Sequence, residues 1–365
     1  MHRPPCLTLL TLALIVALPS VARTPTVAVT PALATRPVAN DPDDPAIWVH
    51  PVNPAESRIV GTNKVSATEG GALYVFDLKG DIRQIVRGLD RPNNVDIEYG
   101  FSLNGTKTDL VVVTERNTSR IRLFALRPDD GTLSEIAPNG IPVFGGETGD
   151  AAAPMGVALY RRPKDGAIFA IVGRKSGPTT GYLWQYRLRE DGKGKVTAEK
   201  VRAFGNYSGK KEIESIAVDD DLGFVYYSDE GVGVRKYAAD PDAPDPDREL
   251  ARFATADFKG DHEGIALYPT GPKSGYLICT DQIPAADGGS VYRVFTREGE
   301  PGNPHAHREI ARWNGGADET DGIEITARRL GDAFPAGILV AMNSGPKNFL
   351  IFDARKLINT LTDRR

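Results

Sequence analysis

Carboxylate side chains recur at one position of a repeated pattern, and their types and spacing are suited to metal chemistry. The segment "NDPDDPAIWVHP" places Asp41, Asp43 and Asp44 within four residues, directly before an apolar run. Acids this close repel one another unless water, a cation or a partner neutralises them. Two interpretations follow: an acidic surface turn before a strand, or a site that holds a metal ion.

The same position in five further repeats favours the metal site. The repeats open with "DPAIWV", "NVDIEY", "MGVALY", "ESIAV", "EGIALY" and "DGIEI". Their key positions are Asp44, Asn94, Met155, Glu214, Glu263 and Asp321, with Asp43, Asp96 and Asp261 close by. Oxygen ligands in such number suit Ca²⁺, which takes about six to eight of them. The sequence contains no Cys/His cluster with zinc spacing.

A second set of polar residues ends the second predicted strand of each repeat. Its members are Lys64, Arg116, Arg174 with Lys175, Glu230, Gln282 and Ser344. Taken singly, each is most simply a solvated strand end. Cations from three repeats beside a group of carboxylates instead favour a phosphorylated ligand, bound through both calcium and basic side chains.

The elements that must position these residues are short strands. Each repeat start is followed by a second strand such as "DLVVVTER", a third such as "RIRLFAL" and, in five repeats, a fourth such as "REIARW". Four alternating strands repeated six times predict an all-β chain folded as a six-bladed β-propeller. The missing fourth strand of the sixth repeat is predicted to come from the N-terminal segment "TVAVTP", which would close the ring. A β-sandwich is the alternative, but it would not explain six similar starts.

Composition and termini narrow the class of protein further. The chain has 365 residues and a formal net charge of -4, which does not suggest a nucleic-acid binder. Residues 1–22 are predicted to be a secretory signal peptide, with a basic start, an apolar stretch too short to span a bilayer and small residues before the cut. The protein would then be exported, to the periplasm or outside the cell, as a propeller domain covering residues 23–365. No other stretch is long enough to cross a membrane. Cys6 would leave with the signal, so Cys279 would have no disulfide partner.

Two loops rich in proline and charge are predicted to be solvated. They are "AADPDAPDPDRE" and "REGEPGNPHAH", and the second contains His305 and His307.

At this point the sequence resembles the β-propeller phytases, six-bladed calcium-dependent phosphatases that act on myo-inositol hexakisphosphate. The resemblance covers essentially the whole chain after the signal peptide. It rests on "DPDDPAIWVHPVNPAESRIVGTNK", "NNVDIEYGF" with "LNGTKTDLVVVTERN", "DHEGIALY" and "TDGIEI", in this order and spacing.

The resemblance implies roles for individual residues. Those matching calcium ligands or acids of the catalytic site are Asp43, Asp44, Asn94, Asp96, Glu214, Glu230, Asp261, Glu263 and Asp321. Those matching cations that contact phosphate are Lys64, Arg116 and Arg174, and Lys175 stands beside them. Within these sets, Glu230, Glu263 and Lys64 are predicted to be catalytic.

Three positions depart from the family pattern. Met155 stands where a tyrosine is common, and a thioether is a poor ligand for Ca²⁺. Arg174 replaces a lysine, which keeps the charge but alters its geometry. Lys175 stands where an acid is common. These changes bear on the number of calcium ions and on the rate more than on the fold.

The implied function is calcium-dependent phosphomonoester hydrolysis of the 3-phytase type, by a monomer acting on calcium complexes of inositol phosphates. Water on the metal would attack phosphorus in line with the ester oxygen, with Glu230 orienting it or assisting proton transfer. Two alternatives stay open: a phytase-like propeller that binds without catalysis, and another calcium-dependent propeller hydrolase such as a lactonase. A neutral lactone would gain nothing from three cations, which argues against the last.

Overall fold

Short strands with alternating side chains build almost all of the described chain. The computed structural model describes residues 24–362, so the predicted signal peptide and Cys6 lie outside the described residues. Within that range, the strands form six β-sheets around a central channel, and one α-helix follows the last strand. The predicted six-bladed β-propeller is therefore confirmed.

The elements follow one another blade by blade. Two N-terminal strands come first: β1 (Thr26–Ala28) and β2 (Leu33–Ala34). Blade one contains β3 (Pro42–Trp48), β4 (Arg58–Asn63), β5 (Ala72–Asp77) and β6 (Ile82–Arg87). Blade two contains β7 (Pro92–Leu103), β8 (Thr106–Glu115) and β9 (Arg120–Leu126), with β10 (Leu133–Glu135) and β11 (Ile141–Pro142) both paired to β9. Blade three contains β12 (Pro154–Arg161), β13 (Ile168–Arg174), β14 (Thr180–Glu190) and β15 (Val196–Asn206).

The second half repeats the plan. Blade four contains β16 (Ile216–Asp219), β17 (Phe224–Asp229), β18 (Gly233–Ala238) and β19 (Ala251–Phe253). Blade five contains β20 (Asp261–Pro269), β21 (Gly275–Gln282), β22 (Val291–Thr296) and β23 (Glu309–Asn314). Blade six contains β24 (Ile323–Ile325), β25 (Ile338–Asn343) and β26 (Asn348–Asp353), followed by α1 (Ala354–Thr362). Short 3₁₀ turns cover Pro54–Glu56, Ala67–Glu69, Arg116–Thr118, Gly149–Ala152 and Ala285–Asp287.

The hydrophobic core is divided among the blade interfaces. Six clusters of buried side chains occur in the described chain, one between each pair of neighbouring blades. Between blades six and one, for example, Ile59 and Phe76 pack with Val340 and Phe349. Each strand can bury both faces, because each blade has a neighbour on either side. The innermost strands are thereby held against the channel.

The ring is closed by the N-terminal segment, though not in the predicted way. Strand β1, part of "TVAVTP", pairs in parallel with β23 and becomes a fifth strand at the outer edge of blade five. The fourth strand of blade six is β2, which pairs antiparallel with β26. Assigning "TVAVTP" to blade six was therefore wrong, because the chain crosses from blade five to blade six between these two strands. Both strands cover edges that would otherwise be exposed.

One of the two loops predicted to be solvated is partly buried. His307 is only 7% exposed, packs against the ring of Phe253 and makes a 2.7 Å hydrogen bond through Nδ1 to the carbonyl of Thr296. Its Nε2 lies 3.2 Å from Nζ of Lys236, whose ammonium packs over the ring of Phe224. Burial, and next the charge of Lys236, lower the pKa of His307 from 6.5 to about 4.

We predict that His307 makes stability depend on pH. The folded pKa lies below the unfolded value, so the unfolded chain binds more protons between about pH 6.5 and pH 4, and stability falls as the pH falls through that window. Between about pH 7 and pH 5 the loss linked to His307 should be about 2 kcal/mol. Denaturant unfolding of the wild type and His307→Gln at both pH values measures it, and the variant should lose less. The comparison variant is His305→Gln, whose histidine is less buried and also has its pKa lowered by burial, so its effect should be the smaller of the two. Equal pH dependence in all three proteins would contradict the prediction.

Candidate active site

The residues predicted to form the site begin the innermost strands, where the backbone is irregular. In blades one, two, three and five, the pairing register between the first and second strands shifts near the start of the first. At each shift, two consecutive residues of the first strand are skipped by the pairing. They are Asp43 and Asp44, Asn93 and Asn94, Met155 and Gly156, and Glu263 and Gly264. Such bulges bend a strand and re-aim its side chains. In blades four and six, Glu214 and Asp321 lie two residues before the start of the first strand. We call this end of the central channel the channel mouth.

Backbone contacts between neighbouring blades fix three of these starts. The amide of Gly264 donates to the carbonyl of Asp321 at 2.8 Å, and the amide of Gly322 donates to that of Asp43 at 3.0 Å. A Cβ on Gly264 would lie 2.7 Å from Asp321 O, and one on Gly322 would lie 2.2 Å from Asp44 Oδ1. Glycine is required at both positions because the next blade approaches the backbone this closely. Blades five, six and one are thereby locked together at the channel mouth.

The opening acidic segment is held by the second strand of blade one. Oδ1 of Asn63 accepts the amides of Asn40 and Asp41 at 3.0 and 2.9 Å. Oγ1 of Thr62 accepts the amide of Asp44 at 3.0 Å, and the carbonyl of Asp41 accepts the amide of Lys64 at 2.7 Å. The sequence alone indicated no role for Asp41. In the structure it anchors the loop through its backbone.

Lys64 lies among carboxylates from three blades. Its ammonium is bonded to Asp43 and lies 3.7 Å from Oδ2 of Asp321 and 3.8 Å from Oε1 of Glu214. Burial alone would lower the pKa of Lys64, but Asp43, Glu214 and Asp321 raise it well above its usual value. The lysine is therefore held charged, as the central cation of this group.

Glu214 is surrounded by donors. Its Oε1 accepts from Asn93 Nδ2 at 2.7 Å and lies 3.3 Å from Nη2 of Arg116, which also bonds Asn93. Burial opposes ionisation, yet Lys64, Asn93 and Arg116 together lower the pKa of Glu214. Glu214 is therefore an anion in contact with two cations.

Two other acids at the channel mouth have no such compensation. Burial, and then the charge of Glu214, raise the pKa of Glu230 to about 8, and burial with the same neighbour raises that of Glu263 well above its usual value. Asp43 has both carboxylate oxygens buried, and the ammonium of Lys64 is the cation paired with them. We call Asp43, Lys64, Glu214, Glu230, Glu263 and Asp321 the mouth cluster.

The mouth cluster has the ligand chemistry for a hard divalent cation. Within residues 24–362, only Glu212, Glu214 and Glu230 place one carboxylate oxygen each within 4.8 Å of one another. Apart from the ammonium of Lys64, the polar side-chain atoms of the cluster are carboxylate oxygens, the type of ligand that Ca²⁺ prefers. A cation here would also relieve the repulsion that raises the pKa of Glu230 and Glu263. The residues therefore fit calcium.

Paired side chains surround the mouth cluster. Lys175 is bonded to Glu212, and Lys211 Nζ lies 2.7 Å from Oδ2 of Asp261. Gln282 is bonded to Asp321. Asp261 is thus at the mouth, as predicted, but its charge is already matched by a lysine.

Three of the predicted metal ligands, Asp44, Asn94 and Asp96, line the central channel further from the mouth cluster. Oδ2 of Asp44 accepts the amide of Val95 at 2.9 Å, and Oδ2 of Asp96 accepts that of Leu159 at 2.6 Å. Asn94 accepts a hydrogen bond from Asn93. Asp44 and Asp96 thus link the innermost strands of neighbouring blades through their carboxylates.

Two residues of blade three do not reach the mouth cluster. The guanidinium of Arg174 is fully buried, 4.4 Å from the ring of Phe144 and 5.0 Å from that of Trp184, with Nη1 3.3 Å from Oε1 of Glu147. Met155 is also fully buried. The structure thus brings Lys64, Arg116 and Lys175 to the channel mouth but not Arg174, because consecutive residues at a strand end point in opposite directions.

Three residues at the site were missed by the sequence analysis: Asn93, Glu212 and Lys211. Asn93 precedes a predicted ligand within "NNVD", and Glu212 stands two residues before Glu214. Spacing by two along an extended chain places side chains on one side, and this signal could have identified Glu212.

We predict that Lys64→Met destabilises the metal-free protein by about 3 kcal/mol, because it leaves buried carboxylates without their cation. Urea unfolding in the presence of a chelator measures the loss. Lys164→Met is the control, since it removes an exposed lysine paired with Asp240 at 2.9 Å, and such pairs contribute about 0–1 kcal/mol. Equal effects of the two substitutions would show that Lys64 does not neutralise the cluster.

The sequence is similar to those of known proteins over most of its length. A family model described as phytase matches residues 5–349 of this chain. The 3-phytase of Bacillus subtilis (strain 168) is 31% identical over 310 residues, which cover 82% of this chain and 74% of that protein.

Solved structures support the fold alone. A calcium-binding protein, regucalcin, from Agrobacterium tumefaciens str. C58 aligns with a TM-score of 0.51 and 14% identity, over 87% of this chain and 88% of that one. An α-L-arabinanase of Penicillium chrysogenum, complexed with arabinobiose, aligns with a TM-score of 0.53 and 12% identity, over 90% and 98%.

Proposed function

The chain belongs to the phytase family, and we propose that it removes phosphate from myo-inositol hexakisphosphate with calcium bound at the channel mouth. One observation supports this most directly. Buried carboxylates from blades one, four, five and six converge there, beside cations from blades one, two and three. This combination suits a ligand that is strongly anionic and is bound together with divalent cations.

The proposed calcium ligands lie at two depths of the central channel. Those in or beside the mouth cluster are Asp43, Glu214, Glu230, Asp261, Glu263 and Asp321, and Glu212 joins them on its geometry. Asp44, Asn94 and Asp96 are proposed ligands further into the channel. Calcium bound at these positions would supply positive charge to phosphate oxygens and lower the pKa of water.

The proposed phosphate contacts are made by Lys64, Arg116 and Lys175. Arg116 places its guanidinium at the channel mouth, where Nη2 is bonded to Asn93 and lies 3.3 Å from Oε1 of Glu214. Arg174 remains a proposed contact only if its side chain leaves Phe144 and Trp184. Bidentate and point-charge cations around one phosphate would stabilise charge that develops during transfer.

The proposed chemistry is direct hydrolysis. Glu230, kept ionised by the neighbouring cation, is proposed to orient a water and to accept one of its protons as the water oxygen bonds to phosphorus. The bond from phosphorus to the inositol oxygen would break, and that oxygen would take up the proton from Glu230 and leave as the alcohol. Lys64 would hold the transferred phosphate, and Glu263 would keep the cluster negative enough to retain cations.

A phytase-like propeller that binds without catalysis is the second candidate. It is favoured by Met155 being buried at the first-strand start of blade three and by Lys175 occupying Glu212. A lactonase is less well supported, since a neutral substrate has no use for the three cations.

The protein's location and assembly are also proposals. Residues 1–22 would direct export and then be removed, and the protein would act as a monomer, in the periplasm or outside the cell. Among residues 24–362 the structure has no helix that is both long and apolar enough to cross a bilayer.

We predict phosphate release from calcium phytate by the calcium-loaded protein, and loss of that release in excess chelator. A lactone substrate assayed in parallel should stay intact. Calcium-dependent phytate binding without phosphate release would favour the binding protein, and lactone opening without phosphate release would favour the lactonase.

We also predict that Glu263→Gln lowers phosphate release about a hundredfold, because it removes a charge that retains the cations. The control is Glu199→Gln on the outer strand of blade three, whose side chain is 64% exposed and should leave the rate unchanged. Full activity of Glu263→Gln would exclude the mouth cluster as the active site while leaving the fold unaffected.

A further inference from the structure

We propose that Lys175 is an internal counter-ion of the blade-four carboxylates, and that it weakens calcium binding at Glu212, Glu214 and Glu230. This inference rests on the proposed function, since it assumes that calcium binds at the channel mouth. Lys175 would thus lower the affinity for calcium, in addition to any contact that it makes with phosphate.

Blade three supplies a single cation to these carboxylates. Lys175 directly follows β13, and its amide donates to the carbonyl of Ala153 at 2.9 Å, which fixes the backbone. Arg174, the preceding residue, points the other way and is enclosed by Phe144 and Trp184. The positive charge that blade three brings to the mouth is therefore that of Lys175.

The partner of Lys175 belongs to the only compact acidic triad in residues 24–362. The ammonium is bonded to Glu212, whose carboxylate lies within 4.8 Å of those of Glu214 and Glu230. Both side chains of the pair are about one third exposed, at 32% and 29%, so the contact can open into solvent.

The other two acids of the triad differ from Glu212. Glu214 already contacts Arg116 and Lys64. No ion pair to Glu230 occurs within the described residues, and Glu212 has Lys175 as its cation. A cation bound by the triad would therefore compete with Lys175 for Glu212.

A cation bound by the triad would meet Lys175 in two ways. It must share Glu212 with the ammonium or displace it, and it is repelled by a positive charge only one side chain away. At the effective dielectric of a wet site, removing one such charge strengthens binding of a divalent ion about tenfold. Substituting Lys175 should consequently increase calcium affinity.

The test is a calcium titration by isothermal calorimetry at constant ionic strength. It compares the wild type, Lys175→Met and the control Lys164→Met, whose lysine pairs with Asp240 and Asp242 at the opposite end of the blade. We expect Lys175→Met to bind calcium about tenfold more tightly at one site and Lys164→Met to match the wild type. Thermal unfolding in chelator verifies that each variant is folded, and Lys175→Gln repeats the measurement if Met impairs folding.

A double-mutant cycle tests whether the effect acts through Glu212. In a Glu212→Gln background, Lys175→Met should change calcium affinity by less than about threefold. An undiminished tenfold gain there would overturn the role of the pair and leave only a general charge effect.

The outcomes separate this inference from the proposed function. If the wild type binds calcium and Lys175→Met binds it equally well, the inference is wrong and the proposed function stands. If the wild type binds no calcium and phosphate release survives chelation, the calcium-dependent function itself is wrong.

Discussion

Repulsion between carboxylates that the fold itself forces together is the interaction on which this structure depends. In a closed ring, residues at equivalent positions of the blades meet at the axis, so acids separated by more than a hundred residues in sequence become neighbours. Lys64 offsets part of this repulsion, because one ammonium reaches acids of blades one, four and six. Burial, and after it the charge of Glu214, raise the pKa of Glu230 and of Glu263, so Lys64 compensates the acids only in part. A protein with its core at the blade interfaces can tolerate this local cost at the centre.

The irregular start of the innermost strand is the feature that places different side chains at the channel mouth in each blade. The bulge recurs in four blades, yet its two residues are Asp–Asp, Asn–Asn, Met–Gly and Glu–Gly. One half of each pair can face the channel mouth, while the other must fit against the next blade. Glycine at position 264 follows from that second requirement, and Gly322 of blade six meets the same close approach without a bulge. Symmetry of the backbone is therefore kept while the chemistry differs from blade to blade.

Much of this architecture could be predicted from the sequence, because strand alternation and the repeat are local patterns. The six starts, and with them Asp43, Glu214, Glu263 and Asp321, were identified in this way. The direction of a side chain at a strand end is not a local property, so Arg174 and Lys175 could not be told apart. Glu212 precedes its strand and falls outside the repeated pattern. The partly buried His307 depends on Lys236 and Phe253, distant residues that no pattern around the histidine indicates.

The closing strands have a consequence for how the molecule is made. Strands β1 and β2 are near the start of the chain, but their partners β23 and β26 lie about three hundred residues later. During synthesis from the N-terminus, neither strand has a place to pair until the last two blades exist. Until then the acids of blade one are separated from those of blade six, since Gly322 has not yet bonded Asp43. The mouth cluster therefore cannot assemble gradually, and the site and the closed ring come into existence in the same final event.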